Sequence, residues 1–365
     1  GAGIDLKKTK IRGVESNGML LSEREMGISE DHKGIVDLPE DTAIGLEAAE
    51  VMGLDDPVIE LGITPDRADC FGVRGIARDL AAAGIGTLKP LDADKHDGAF
   101  EPPIKWQRDF PTGEDAACPM VVGRYFRGVK NGPSPQWVQE RLKAIGLRPI
   151  SALVDITNLV TFDLCRPLHV FDADKLAGDL TMRFARDGEK ILALDGREYT
   201  LEDGMNVIAD SKSVHAIGGI MGGENTGCTE ETTNVFLEVA LFDPIRTATT
   251  GRKLGIESDA RYRFERGLDP ESVYWGAEVA TRLVLAFCGG EASELTVAGE
   301  MPEWARPVSL RPERLKSFGG VDVASDEAVD ILTRLGFEPK VENGVIHGTT
   351  PSWRADVESE DCLVE

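Results

Sequence analysis

Residues 235–242 read Val235-Phe236-Leu237-Glu238-Val239-Ala240-Leu241-Phe242, an apolar strand pattern interrupted by one carboxylate. Because strand side chains alternate between two faces, Glu238 shares a face with Phe236 and Ala240. A carboxylate in such surroundings must be paired, protonated or waiting for a ligand that donates a hydrogen bond. An ion pair would need a guanidinium, and the candidates nearby in sequence are Arg252, Arg261 and Arg263.

Two further motifs precede this strand within the stretch 148–266, which organises the chain. Residues 166–172 read Arg166-Pro167-Leu168-His169-Val170-Phe171-Asp172. His169 therefore lies between apolar neighbours, as either a structural hydrogen-bond partner or a catalytic group. The glycine-rich residues 217–224 read Ile217-Gly218-Gly219-Ile220-Met221-Gly222-Gly223-Glu224 and lack the spacing of a dinucleotide fingerprint. Such glycines let the backbone close on a ligand or let two elements pack tightly.

Arg148, at the start of this stretch, would bind a phosphate or a carboxylate, or is simply solvated. The stretch shows neither a Ser–His–Asp set nor a metal cluster with regular spacing. Hydrolysis at this site would therefore depend on binding geometry and an ordered water.

The length, charge and cysteine content of the chain limit the kind of protein it can be. A length of 365 residues predicts two to four domains. The 40 basic and 64 acidic residues give a net charge of −24. A surface this acidic repels polyphosphate. Binding of nucleic acid would therefore require a local basic patch or another subunit. The six cysteines form no Cys-x-x-Cys pair, which favours a reducing cytoplasm over zinc or disulfides. No apolar run reaches the roughly 18 residues of a membrane span.

The first 116 residues predict mainly peripheral elements. Residues 1–50 look like the end of a small β domain, where Lys8, Lys10 and Arg12 form either the rim of an RNA-binding barrel or a solvated strand edge. The pattern then predicts a strand from Val58 that ends at Pro65 and a helix over 69–83. Residues 86–116 are rich in Asp, Lys and Pro and predict a linker. Both ends of the chain suggest a segment from the interior of a longer protein.

Residues 117–290 predict one mixed α+β domain. Its helices run from the N-cap Ser134 to Gly146 and from 269 to 288, and its strands cover 181–185, 190–194 and 206–209. After a linker near 300–307, a helix capped by Ser325 runs to Leu335. A hairpin with its turn at 342–345 follows, which suggests a small winged-helix-like module.

Together these motifs resemble the beta subunits of bacterial phenylalanyl-tRNA synthetases, over nearly all of the chain. Residues 63–70 (Ile63-Thr64-Pro65-Asp66-Arg67-Ala68-Asp69-Cys70) and 355–358 add to the match. The resemblance implies an α+β multidomain fold. Residues 1–50 would end an OB-like tRNA-binding domain and 51–116 would hold part of B1 and a linker. Residues 117–292 would form a mixed α/β B3/B4 editing domain and 303–365 a truncated, winged-helix-like B5 domain.

The resemblance also implies a function. In this family of ligases the alpha subunit performs aminoacylation with ATP and magnesium, while B3/B4 hydrolyses tyrosine mischarged onto phenylalanine tRNA. A pocket built for phenylalanine rejects an added hydroxyl only by on the order of 10², whereas a second pocket that hydrogen-bonds the hydroxyl discriminates by roughly 10⁴ or more. The implied partners are the alpha subunit, in an alpha2-beta2 assembly, and phenylalanine tRNA in the cytoplasm, without a membrane.

The resemblance also implies roles for individual residues, which are assigned by matching positions of this chain to the family's motifs. Glu238 would read the tyrosine hydroxyl, and His169 and Arg148 would hold the acceptor end and position the water. Ser258 retains the hydroxyl of a position where many members have Thr, and we expect it to be catalytic. The remaining substrate-binding residues would be Asn158, the wall glycines Gly219 and Gly222, and Ala260, which leaves room for the ring.

The family also shares a magnesium site between the subunits, which Asp356 and Glu365 match. Cys362 stands where an Asp is expected, with Asp361 next to it. We therefore expect an incomplete site without metal, and no cofactor in this chain.

Two other functions fit the same residues. The first is a non-catalytic module that docks tRNA or the alpha subunit. The second is a free-standing protein that binds an amino acid, against which the B1-like and B5-like flanks argue.

Overall fold

The structure, a computed structural model, describes residues 7–28, 32–55 and 57–365. Residues 1–6, 29–31 and 56 of the first two predicted domains lie outside the described part. The chain divides into two compact units, Gly1–Val58 and Ile59–Glu365. The first unit contains an antiparallel hairpin and two short helices: β1 (Thr9–Ile11), β2 (Val14–Ser16), α1 (Glu23–Met26) and α2 (Ala48–Val51). Lys8 pairs with Glu15 at 2.7 Å across the hairpin, so one predicted basic side chain is neutralised there.

The second unit is built mainly on two packed sheets. Its strands up to residue 299 are β3 (Trp106–Asp109), β4 (Met120–Arg127), β5 (His169–Asp172), β6 (Leu180–Phe184), β7 (Lys190–Leu192), β8 (Glu198–Thr200), β9 (Asn206–Ala209), β10 (Val214–Ile217), β11 (Met221–Gly222), β12 (Asn234–Ala240) and β13 (Glu291–Gly299). Strands β13-β4-β12-β5 form an antiparallel four-stranded sheet, and β11-β10-β9-β6-β3 form a five-stranded one. Strands β7 and β8 pair separately as a hairpin.

Helices cover the outer face of the four-stranded sheet. The helices of this region are α3 (Val73–Ala82), α4 (Gln136–Ala144), α5 (Ala152–Leu164), α6 (Pro244–Leu254), α7 (Asp259–Phe264) and α8 (Ser272–Cys288). Leu237 and Val239 of β12 share an apolar cluster with residues of α5 and α8. Phe236 and Ala240, on the other face, pack instead against the five-stranded sheet. Both faces of β12 are therefore buried, which explains its almost continuous apolar sequence.

The C-terminal elements form a smaller sheet with helices. They are β14 (Pro307–Leu310), α9 (Glu313–Ser317), α10 (Ser325–Arg334), β15 (Lys340–Glu342), β16 (Val345–Thr349) and α11 (Glu360–Val364). The strand order is β14-β16-β15. Asn343 and Gly344 have φ values of 50° and 79°, as a two-residue hairpin turn requires, and the predicted turn is confirmed. The mixed α/β character with several sheets is confirmed as well.

Two predictions for the N-terminal part of this unit were wrong. No strand forms over the described residues 57–65, where Ile59 and Leu61 are 77% and 52% exposed. Alternation alone does not make a strand when no neighbouring strand is available to pair. The predicted linker 86–116 contains β3, which forms an edge of the five-stranded sheet because Ile104 and Trp106 enter the core.

The predicted helix over 69–83 is found as a short 3-10 turn followed by α3. Two predicted N-caps were wrong: Pro135 precedes α4 and Ala324 precedes α10, neither with a side-chain cap. Ser134 instead donates its hydroxyl proton to Asp155 at 2.5 Å. Among the described residues, no helix combines the length and the hydropathy that crossing a bilayer requires.

Candidate functional site

Glu238 lies between Gly123, which has no side chain, and the imidazole of His169. In the antiparallel registers of β12, it is directly opposite Gly123 of β4 and His169 of β5. Directly opposed residues point to the same face of a sheet. The Glu238 side chain therefore enters the layer between the two sheets, which Phe171, Phe236 and Phe242 help to fill.

The carboxylate of Glu238 has no ion-pair partner among the described residues, and only 6% of the residue is exposed. The alternative that Glu238 pairs with one of the three arginines near in sequence is wrong. Arg261 pairs with Glu265, Arg263 with Asp259, and Arg252 donates to the Ala248 carbonyl. Burial raises the pKa of Glu238 to about 7, against the opposing effects of the Arg166 guanidinium and the Ala240 backbone N–H. The group therefore titrates much closer to neutral pH than a solvated carboxylate does.

Arg166 is a buried charged residue acting on Glu238 that the sequence reasoning missed. It is completely buried and donates to the Ala240 carbonyl and, at 3.2 Å, to Ser272 Oγ. Gly276 makes room for it, since a Cβ there would lie 2.9 Å from Arg166 Cγ. Burial lowers the pKa of Arg166 to about 10, and Glu238 opposes that shift. The available signal was an arginine in an apolar stretch three residues before His169.

His169 packs closely on the glycine-rich segment. A Cβ on Gly222 would lie 2.4 Å from His169 Cε1, so only glycine leaves space for the ring. The imidazole meets Phe171 edge to face at 4.5 Å, and its buried Nε2 has no hydrogen-bond partner. Burial lowers the pKa of His169 to about 4, so the ring is neutral at pH 7. A neutral imidazole offers one donor and one acceptor to a ligand or a water.

The glycine-rich segment also packs against α7 and the Phe242 ring. Gly219 has a φ of 69°, and a Cβ there would lie 2.9 Å from the Phe242 ring. Ala260 packs against the same aromatic cluster. Ser258 caps α7 by accepting the Arg261 backbone N–H at 3.1 Å, and it donates its proton to the Ile220 carbonyl at 2.6 Å. Its hydroxyl therefore fastens α7 to the glycine-rich segment.

The other two assigned residues lie apart from this group. Arg148 is exposed in the connection between α4 and α5. Asn158 is on α5, which packs against the opposite face of the four-stranded sheet. Among the described residues, no side-chain hydrogen bond or ion pair joins either of them to Glu238 or His169. The structure thus brings together Glu238, His169, Gly219, Gly222, Ser258 and Ala260, but not Arg148 and Asn158.

The two residues matched to a magnesium site, Asp356 and Glu365, do not form a cluster of metal ligands within the described residues. Both carboxylate oxygens of Asp356 accept hydrogen bonds from Arg354, at 2.8 Å for the shortest. Glu365 is the terminal residue and forms no cluster with it in the described part of the chain. Asp69, Cys70 and Asp79 do lie close together, but Arg67 donates to all three.

Known proteins resemble this chain in two domains. Residues 117–289 match the B3/4 domain model and residues 308–365 match the tRNA synthetase B5 domain model. The phenylalanine–tRNA ligase beta subunits of Paramagnetospirillum magneticum and Brucella abortus (strain 2308) are 55% and 56% identical over all of this chain. That of Rhodospirillum rubrum is also 56% identical. The chain spans about 45% of the length of these relatives.

One solved structure is a more distant match. It is an N-terminal fragment of the phenylalanyl-tRNA synthetase beta-subunit from Pyrococcus horikoshii, with 16% identity and a TM-score of 0.40 over 82% of each chain. A score this low supports no conclusion about the fold.

Proposed function

We propose that this chain, which belongs to the family of phenylalanine–tRNA ligase beta subunits, carries the proofreading site of its enzyme. Residues 117–292 would hydrolyse the ester that joins tyrosine to phenylalanine tRNA. The OB-like, B1-like and B5-like flanks would contact the tRNA and the alpha subunit in a cytoplasmic alpha2-beta2 complex. Aminoacylation, with its ATP and magnesium, would belong to the alpha subunit.

The buried carboxylate of Glu238 carries this proposal. It is the kind of acceptor that a phenol hydroxyl satisfies and a phenyl ring does not. The rings around it and the small Ala260 beside them suit an aromatic side chain of the substrate. Because phenylalanine offers this buried acceptor no donor, the site favours tyrosine, which is the selectivity that proofreading needs.

Hydrolysis would depend on position rather than on a nucleophilic side chain. His169 is neutral at pH 7 and its Nε2 has no protein partner, so it would orient the attacking water. Ser258 would hold α7 and the glycine-rich wall in place, since its proton is already donated to Ile220. Arg148, which is exposed, would contact the tRNA acceptor end.

The docking alternative has an observation of its own. On α3 and after it, Val73, Leu80 and Ile85 are 62%, 46% and 72% exposed. Apolar side chains so exposed suit another protein surface. Docking there and proofreading at Glu238 use different residues and are compatible.

Calorimetric titration of the chain with tyrosine and with phenylalanine tests the proposal. We expect tyrosine to bind at least tenfold more tightly, and Glu238→Ala to remove that preference. Equal binding of the two amino acids by the unmodified chain would count against proofreading at this site, and Arg148→Ala serves as a variant that should keep the preference.

A further inference from the structure

A phenol oxygen needs two kinds of partner. Its proton can go to Glu238, but its lone pairs then require a donor if they are buried. Such a donor must be close to Glu238, buried, and free of a partner when no ligand is present. Few donor groups among the described residues meet these three conditions.

The indole N–H of Trp106 meets all three conditions. Trp106 lies on β3 and is 5% exposed, and its Nε1 has no hydrogen-bond partner. The nitrogen lies 2.2 Å from where a Cβ on Gly123 would be. Gly123 is directly opposite Glu238, and opposed Cβ atoms are about 5 Å apart. The indole N–H therefore occupies the space beside the carboxylate that a side chain at 123 would otherwise fill.

The imidazole of His169 lies directly opposite Glu238 and its buried Nε2 also lacks a partner, but the proposed mechanism uses that nitrogen to orient the attacking water. The remaining candidate donors are less well placed. The buried Nε of Arg166 also lacks a partner, but the arginine side chain runs along Gly276 of α8, on the helical side of β12. Asn206 has a buried unpaired atom, but it is the acceptor Oδ1, and its amide donates to the Ala117 carbonyl. Trp106 is also held firmly, since its ring packs on Phe236 at 5.3 Å.

We propose that Trp106 is a specificity-determining residue whose indole N–H donates to the phenol oxygen while Glu238 accepts the phenol proton. This inference rests on the proposed proofreading function and extends it. Tyrosine would satisfy two buried polar groups at once, whereas phenylalanine would leave both unpaired. Discrimination would then come from a donor and an acceptor acting on the same atom.

The test is Trp106→Phe, which removes the N–H and keeps a ring in the core. In the complete enzyme, kcat/KM for Tyr-tRNA deacylation should fall roughly tenfold, as expected for one lost hydrogen bond. Deacylation of Phe-tRNA should not change. Trp137→Phe, on the helical layer and 44% exposed, is the matched control. A parallel fall for both substrates would mean that Trp106 only packs, and would overturn the inference.

A second readout does not depend on hydrolysis. The indole ¹⁵N–¹H resonance of Trp106, assigned by its loss in Trp106→Phe, should move downfield with free tyrosine and stay in place with phenylalanine. An unmoved resonance at saturating tyrosine would contradict the inference. Glu238→Ala, which removes the acceptor, separates the two hypotheses. If it destroys tyrosine selectivity while Trp106→Phe preserves it, proofreading stands and the Trp106 inference fails; if Glu238→Ala preserves selectivity, both fail.

Discussion

The imidazole of His169 rests on the backbone of Gly222, where a Cβ would lie 2.4 Å from Cε1 and 2.8 Å from Nε2. Two elements distant in sequence, β5 and β11, meet at this contact. Any side chain at 222 must displace the ring that the proposed mechanism uses to orient water.

Gly222→Ala should therefore reduce Tyr-tRNA deacylation by about 10²-fold, since a displacement near 1 Å has that effect on a positioned group. Steady-state kinetics on the complete enzyme measures it. Gly132→Ala is the control in the same domain, because a Cβ at 132 meets nothing within 4 Å. Wild-type kinetics in Gly222→Ala would exclude a positioning role for His169.

Glu238 should make stability depend on pH. Its pKa rises from 4.5 in the unfolded chain to about 7 in the folded state, so the folded state holds a proton that the unfolded chain has lost. The stabilisation is complete below about pH 4.5 and is lost as the pH rises through about 7. The side chain in Glu238→Gln stays neutral, so this variant should not lose that stabilisation. The loss in the unmodified chain should be on the order of 3 kcal/mol in the free energy of unfolding at pH 8.

Urea unfolding of the unmodified chain and of Glu238→Gln at pH 5 and pH 8 measures this difference. The opposite effect of His169, whose lowered pKa stabilises the fold above about pH 6.5, is common to both chains and cancels. A free-energy difference between the two chains that is equal at both pH values would show that Glu238 is ordinarily solvated.

The strand around Glu238 could be predicted because a short, nearly continuous apolar run is a local pattern typical of a strand buried on both faces. The partners of Glu238 could not. Trp106 packs beside Gly123, opposite Glu238, because β3 pairs in parallel with β6, with Trp106 beside Leu180, and such distant pairing leaves no local pattern. Arg166 was overlooked for a related reason. Nearness in sequence favoured Arg252, Arg261 and Arg263 as partners of Glu238, but in the folded chain these side chains bond to other groups.

Arg166 should set the pH range of selectivity. Its positive charge lowers the pKa of Glu238, so Arg166→Gln should raise that pKa above about 7. The pH midpoint of tyrosine-over-phenylalanine binding should move upward with it, because the ionised carboxylate is the better acceptor. Arg166→Lys keeps the charge and should keep the midpoint; identical midpoints in all three proteins would refute the coupling.

Ser258 should act through the cap of α7. Ser258→Ala removes both the cap and the bond to Ile220, and should destabilise the fold by about 1 kcal/mol or more. Ser258→Thr retains the hydroxyl and should be close to the unmodified chain in stability and in deacylation. Thermal unfolding ranks the three; an alanine variant that is fully stable yet inactive would instead make the hydroxyl a catalytic group.

The central claim is that Glu238 reads the hydroxyl of tyrosine. Its most direct test is the ratio of kcat/KM for Tyr-tRNA and Phe-tRNA deacylation in Glu238→Ala. We expect that ratio to fall from roughly 10⁴ or more towards unity, mainly through loss of Tyr-tRNA hydrolysis. An unchanged ratio, with Tyr-tRNA hydrolysed as in the unmodified enzyme, would contradict the assignment of Glu238.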